Sequence, residues 1–253
     1  MRPYLLAETN WKTVKETAYE VAILPWGATE AHNYHLPYAT DNYQNEYVVA
    51  ESCRLAWDAG ARVIALPNVP FGINTGQLDI PLCINLNPST QWVVLKDIAD
   101  VIVRAGIPKL VILNGHGGNH FKNMIRELSF HFPQLFCCAV DWYKAASQKP
   151  YFTDFGDHAG EMETSAMLHI APHWVRPLDE AGSGAAKQYR IQAFRDGWAT
   201  AQRQWTQVTE DTGVGDPSQA TADKGRRYLD ASCQAIAGFL TELAKTPADQ
   251  MYV

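Results

Sequence analysis

The 253-residue sequence is poor in charge and nowhere concentrates it. Charged residues make up 19% of the chain, the formal net charge is −6, and the longest basic run is the Arg226-Arg227 pair. A chain of this kind has no electrostatic footprint for nucleic acid or an anionic membrane surface. Long apolar runs are also missing. No stretch approaches the roughly 18–20 residues of a membrane span, and the opening "MRPYLLAETNW" is too short in apolar residues for a signal peptide. The five cysteines (Cys53, Cys83, Cys137, Cys138, Cys233) are odd in number and lack framework spacing. They are expected to be reduced core residues of a cytoplasmic protein. No GxGxxG fingerprint, P-loop or GxSxG elbow is present, which removes the motifs for dinucleotide, nucleotide and serine-nucleophile chemistry.

What the chain does have is apolar content of 47%, enough for a sizeable core. Short apolar runs alternate with amphipathic stretches through the first two thirds. "EVAILPWG" (20–27), "RVIALPN" (62–68), "KLVILNG" (109–115) and "LFCCAVDW" (135–142) read as buried strands. Helices are expected over about 41–59, 88–105 and 119–131, and later over about 160–170 and 217–245. This alternation predicts βαβ units on a parallel sheet, in one α/β domain spanning 1–253. Residues that follow each strand then lie at the carboxyl edge, where ligands bind in open α/β folds.

Three polar clusters fall at such places. "ATEAHNYHLPYATD" (28–41) supplies Glu30 and His32, two apart and therefore on one face of an extended segment. It ends on Asp41, which can either cap the next helix or bridge two cations. His35 in the same segment is expected to orient the loop. "NGHGGN" (114–119) sets His116 among glycines, which lets a ligand approach the backbone closely. "DHAGEMETS" (157–165) adds Asp157, His158, Glu161 and Glu163 at a helix start. Capping and the helix dipole account for Asp157 and Glu161 but leave His158 and Glu163 unexplained. Mixed imidazole and carboxylate donors suit Zn²⁺, Mn²⁺ or Fe²⁺ rather than an all-oxygen Mg²⁺ or Ca²⁺ site. Two such ions about 3.5–4 Å apart could make hydroxide at neutral pH and polarise a carbonyl, which is hydrolase chemistry.

The same segments, "LPWGATEAHNYHLPYATD", "NGHGGN" and "DHAGEMETS", resemble the signatures of the creatininase (creatinine amidohydrolase) family, and "GVGDPSQATADKG" (213–225) is similar to its C-terminal segment. The resemblance implies a three-layer α/β/α fold with a mostly parallel central sheet, two divalent metal ions (zinc first, manganese or iron as alternatives), a small-molecule substrate and a homo-oligomer, often a hexamer. By position, Glu30, His32, Asp41 and His116 match metal ligands, with Asp41 in the bridging place, and His158 matches a proton-transfer histidine. Creatininase proper carries a glutamate where Gly118 stands, so the fifth ligand is assigned to Glu163, with Glu161 second and also a catalytic candidate. The family stretch H-x-x-F-P-G-T reads "QLDIPLC" (77–83) here, which makes Gln77, with Gly117 and Gly118, a substrate-side candidate. Trp142 matches one of two substrate-contacting tryptophans, and Asp154 takes the place of the other. These departures point away from creatinine itself. They point to a cyclic amide or similar C–N bond, with keto-polyol ring opening or deformylation as alternatives and a non-catalytic metal-binding module as the alternative of another class. Trp57, Trp92, Trp174, Trp198 and Trp205 are expected in the core or at subunit contacts.

Overall fold

The computed structural model describes residues 1–253. Four strands, β1 (Val21–Trp26), β2 (Val63–Ala65), β3 (Lys109–Asn114) and β4 (Phe136–Asp141), form one fully parallel sheet in the order β2-β1-β3-β4. The helices are α1 (Trp11–Glu16), α2 (Thr40–Asp58), α3 (Pro88–Arg104), α4 (Lys122–His131), α5 (Glu161–Ile170), the single-turn α6 (Gln192–Arg195) and α7 (Trp205–Val208), and α8 (Ala222–Lys245). All four expected strands and five expected helices are present. α1 is an addition, started by Asn10, whose side chain accepts from Thr13 N–H. No helix is long and apolar enough to cross a membrane.

Period-two side-chain alternation divides each strand between two apolar layers. Val21, Ile23, Val63, Val111 and Leu113 point into a core shared with α2 and α8. Ala22, Leu24, Trp26, Leu110 and Ile112 point into a second core with α3 and α4. Both faces are therefore covered, which makes the three-layer α/β/α arrangement and explains why the strands read as unbroken apolar runs. In α3, Pro88 occupies the first turn, and Gln91, Leu95, Ala99 and Ile102 recur at helical spacing on the buried face. Thr221 caps the start of α8 by accepting from Lys224 N–H. Its far end is met by the buried Lys109, whose Nζ donates to Leu243 O at 2.7 Å and Ala244 O at 2.9 Å. A cation there also opposes the negative end of the helix dipole.

The chain leaves β1 for β2 on one side and places β3 on the other, so the strand order reverses between β1 and β3. That crevice is where open α/β sheets bind ligands, and the segments after β1 and after β3 both open into it.

Candidate metal centre

Three histidines and three carboxylates meet at this crevice. Glu30, Asp41 and His116 form one group able to hold a cation, His32, Asp41 and Glu163 form a second, and Glu30, His32 and His158 form a third. Asp41 belongs to the first two. Its Oδ1 lies 3.0 Å from His32 Nε2 and its Oδ2 lies 3.1 Å from His116 Nδ1. Asp41 sits in the first turn of α2 but its side chain caps nothing, and Oδ2 is buried without a hydrogen-bond partner of acceptable geometry. His116 Nδ1 is also 2.8 Å from Glu30 Oε1. Glu163 Oε2 lies 4.0 Å from His32 Nε2.

The histidines are aimed by backbone carbonyls. His32 Nδ1 pairs with Glu30 O at 3.1 Å, His116 Nε2 with Ile73 O at 3.0 Å, and His158 Nε2 with Ala31 O at 2.8 Å. A carbonyl only accepts, so each of these nitrogens carries the proton and the opposite nitrogen turns its lone pair to the carboxylates. A neutral imidazole lone pair facing a buried carboxylate oxygen at about 3 Å is repulsive, so the arrangement calls for positive charge between them. Without a metal that charge is a proton. Burial alone would lower the His32 and His116 pKa values, but the surrounding carboxylates win and raise both, His32 to about 10. Burial would raise the carboxyls of Glu30 and Asp41, but His116 and His158 hold Glu30, and His32 and His116 hold Asp41, below the ordinary value. Glu163 keeps a raised pKa because burial dominates there. The donor set and the orphaned Asp41 oxygen thus fit divalent cations, whose entry displaces protons.

Local sequence explains the positions. In "NGHGGN" the asparagines tie the turn: Asn114 Nδ2 donates to His116 O at 2.9 Å, and Asn119 Nδ2 donates to Asn114 Oδ1 at 3.1 Å. Gly118 is required for close approach, since a Cβ there would lie 2.4 Å from both His116 Nε2 and Ile73 O. A side chain at that position would force the Ile73 backbone to shift, and the third carboxylate of the cluster is Glu163, from α5. The loop before α5 is fixed by an antiparallel bridge, with His158 N–H donating to Val214 O at 3.1 Å and Val214 N–H to His158 O at 2.8 Å. This gives the C-terminal "GVGDPSQ" segment its role: it clamps the backbone of His158. Ala159 takes φ +52°, and its N–H donates to the Glu163 carboxylate. Such strain at a non-glycine residue is tolerated where the surroundings over-determine it.

A cavity of about 910 Å³ opens beside the cluster. Gly117, Gly118, His158 and Glu163 line it, as do His120, Tyr143, Arg203 and Trp205. The structure separates several expected residues from it. Trp142 is 1% exposed, packed against Tyr228 under α8, and the neighbouring Tyr143 faces the cavity in its place. Asp154 turns to the backbone, accepting from Gly156 N–H at 3.0 Å and Asp216 N–H at 3.1 Å. Glu161 lies outside the metal cluster: its carboxylate accepts from Thr153 N–H, Asp154 N–H and Lys224 Nζ. Gln77 sits behind Glu30, buried, rather than on the substrate side. Trp205, expected in the core or a subunit contact, meets His158 edge-to-face with ring centroids 4.7 Å apart, and the Arg203 guanidinium lies 5.0 Å from the Trp205 ring. Asp157 does not cap α5 but holds Arg203 by two hydrogen bonds. Nothing in the polar stretch around Trp205 marks it as a cavity wall.

His35 orients the loop from the back of the site. Its Nε2 pairs with Thr164 Oγ1 at 2.8 Å and its Nδ1 is buried unpartnered. Burial, helped by the His32 charge, pushes its pKa down to about 4. The unfolded chain therefore takes a proton more readily than the folded one. The stability His35 contributes is complete above pH 6.5, its ordinary pKa, and is lost as pH falls toward 4. His35→Asn is expected to flatten the stability profile across that window, read as urea midpoints against pH. An unchanged difference between variant and parent at every pH would refute the assignment.

An open parallel α/β sheet with a shared carboxylate and two histidine–carboxylate triads at its switch point defines a class, that of proteins built to hold divalent cations beside a substrate cavity. Within that class the chain belongs to the creatininase family: the family model described as creatinine amidohydrolase matches residues 7–240. A crystal structure of a protein from Bacteroides fragilis NCTC 9343, proposed to be a creatinine amidohydrolase, is 42% identical with a TM-score of 0.93, covering 100% of both chains. A manganese form of creatininase and a zinc–zinc form of a creatininase mutant share the fold with TM-scores of 0.76, at 22% and 23% identity over 94% of this chain and 98% and 97% of theirs. The mycofactocin precursor peptide peptidase of Mycobacterium tuberculosis is 29% identical over 217 residues, 83% of this chain and 80% of that one.

Proposed function

We propose that the protein is a metal-dependent amidohydrolase that cleaves a cyclic amide or a similar C–N bond, with two divalent cations held by Glu30, His32, Asp41, His116 and Glu163. The observation that carries this reading is the pair of triads sharing Asp41, with both imidazole lone pairs aimed inward. Zinc is the first expectation and manganese the second, in keeping with the donor set and with the metals of the two creatininase forms. When bound, such ions acidify water and polarise a carbonyl oxygen.

The chain's own residues supply the rest. His158 keeps its Nε2 proton on Ala31 O, so Nδ1, 3.9 Å from Glu30 Oε1, is the atom free to take a proton and return it to a leaving nitrogen. Trp205 packs edge-to-face against the ring and restricts its orientation. Gly117, where a Cβ would meet nothing within 4 Å, leaves room in the cavity beside His116.

A second reading, hydrolysis of a peptide or other extended amide, is favoured by cavity size. A volume of about 910 Å³ lies in the range of sites for drug-sized ligands and exceeds what one small heterocycle fills. The mycobacterial relative is named for action on a peptide. The test is elemental analysis with a hydrolysis panel of cyclic amides, formamides, cyclic keto-polyols and short peptides, before and after chelation. About two metals per chain and chelator-sensitive C–N cleavage are expected, and the compound turned over chooses between the readings. Turnover that survives complete metal removal would refute both.

A further inference from the structure

Gln77 closes a 3₁₀ turn, is 1% exposed, and donates from Nε2 to Glu30 Oε2. Its other end is also fixed: Gln77 Oε1 lies 3.1 Å from Cys83 Sγ. Cys83 Sγ in turn lies 3.2 Å from Ala31 N, which can only donate. With its acceptor side taken by that N–H, the thiol donates to Gln77 Oε1, and the amide NH₂ is left as the end that meets the carboxylate. One directed chain therefore runs from Ala31 N–H through Cys83 and Gln77 to Glu30, and Ala31 O is the carbonyl that holds His158.

We propose that Gln77, oriented by Cys83, is a positioning residue that engages one oxygen of Glu30 and so presents Glu30 as a one-oxygen ligand to the cation on the His116 side. The proposal rests on the metal-centre reading above. A carboxylate with both oxygens free can swing between one-oxygen and two-oxygen ligation. A buried donor on Oε2 removes that freedom and leaves Oε1, 2.8 Å from His116 Nδ1, as the atom aimed into the triad.

The loop is shaped for the contact. Leu82 adopts φ +64° although it is 84% exposed, and this left-handed turn brings Cys83 back to Gln77.

The test is Zn²⁺ affinity and stoichiometry by competition with a chromogenic chelator, in wild type, Gln77→Leu, Cys83→Ala, Cys83→Thr and the Gln77→Leu/Cys83→Ala double variant, with thermal midpoints of the unloaded proteins. Gln77→Leu is expected to weaken one of the two sites by about 10–100-fold and spare the other. Cys83→Ala should weaken the same site less, Cys83→Thr, which keeps a donor, should restore it, and the double variant should bind no worse than Gln77→Leu alone. Wild-type affinity at both sites in Gln77→Leu overturns the proposal. So does equal weakening by Cys83→Ala and Cys83→Thr, which would make the thiol a packing group, and that comparison stands even if Gln77→Leu fails to fold. Wild-type protein that binds no zinc would instead sink the metal-centre reading, and the proposal with it.

Discussion

Asp41→Ala is expected to lose both metal equivalents and to reduce turnover to background. Each triad contributes two ligands besides Asp41, and Asp41 sends one oxygen to each, 3.0 Å from His32 and 3.1 Å from His116. Its removal leaves one imidazole and one carboxylate on each side, short of the three protein ligands that catalytic sites of this donor type use. His116→Ala should behave differently, keeping His32, Asp41 and Glu163 and therefore one metal. Elemental analysis distinguishes the two directly. Thermal melts give an independent reading, because a ligand that binds only the folded state stabilises by about 4 kcal/mol at a thousand times its Kd. For a chain of this size that is a rise on the order of 10 °C per site in wild type, and Asp41→Ala should show none. Two metals retained in Asp41→Ala would remove the shared carboxylate from the assignment.

Much of this arrangement was legible because parallel strands and their ligands obey separate, readable rules. Each strand is an apolar run, and the residues following β1 and β3 reach the crevice whatever the rest of the chain does. The shared carboxylate was readable as one of two roles for Asp41, and the structure leaves its side chain without a capping bond. What escaped the sequence was direction. Trp142 and Tyr143 follow β4 in a 3₁₀ turn (Trp142–Lys144), where successive residues point about 120° apart, so Trp142 enters the core and Tyr143 the cavity. On α5, Glu161 and Glu163 lie two residues and therefore about 200° apart around the helix. One faces α8 and the other faces His32. Contacts between distant segments were equally hidden. Arg203 with Asp157, Trp205 with His158 and Lys224 with Glu161 join residues that local pattern cannot pair.

That difference in direction predicts opposite consequences for two neighbouring substitutions. Glu161→Gln should keep the full metal content and lose about 3 kcal/mol of stability, roughly 6–12 °C in midpoint. Burial would raise the Glu161 carboxyl, but Lys224 and the donors of Asp154 and Thr153 outweigh it and hold the pKa below the ordinary value. The stability it contributes is present above pH 4.5 and is lost as pH falls through the lowered pKa, so the penalty of the substitution should shrink in acid. Lys224 is still partly exposed, which places the loss at the low end for a broken buried pair. Glu163→Gln should do the reverse. Burial raises the Glu163 pKa, so its charge costs stability in the unloaded protein at neutral pH, and a neutral amide removes that cost while removing a ligand. The variant should melt no lower than unloaded wild type, bind one metal fewer and lose turnover, as residues kept for function at the expense of stability do. If Glu161→Gln sheds metal and Glu163→Gln does not, α5 presents the other face to the crevice, and the second triad is His32 and Asp41 with a different carboxylate.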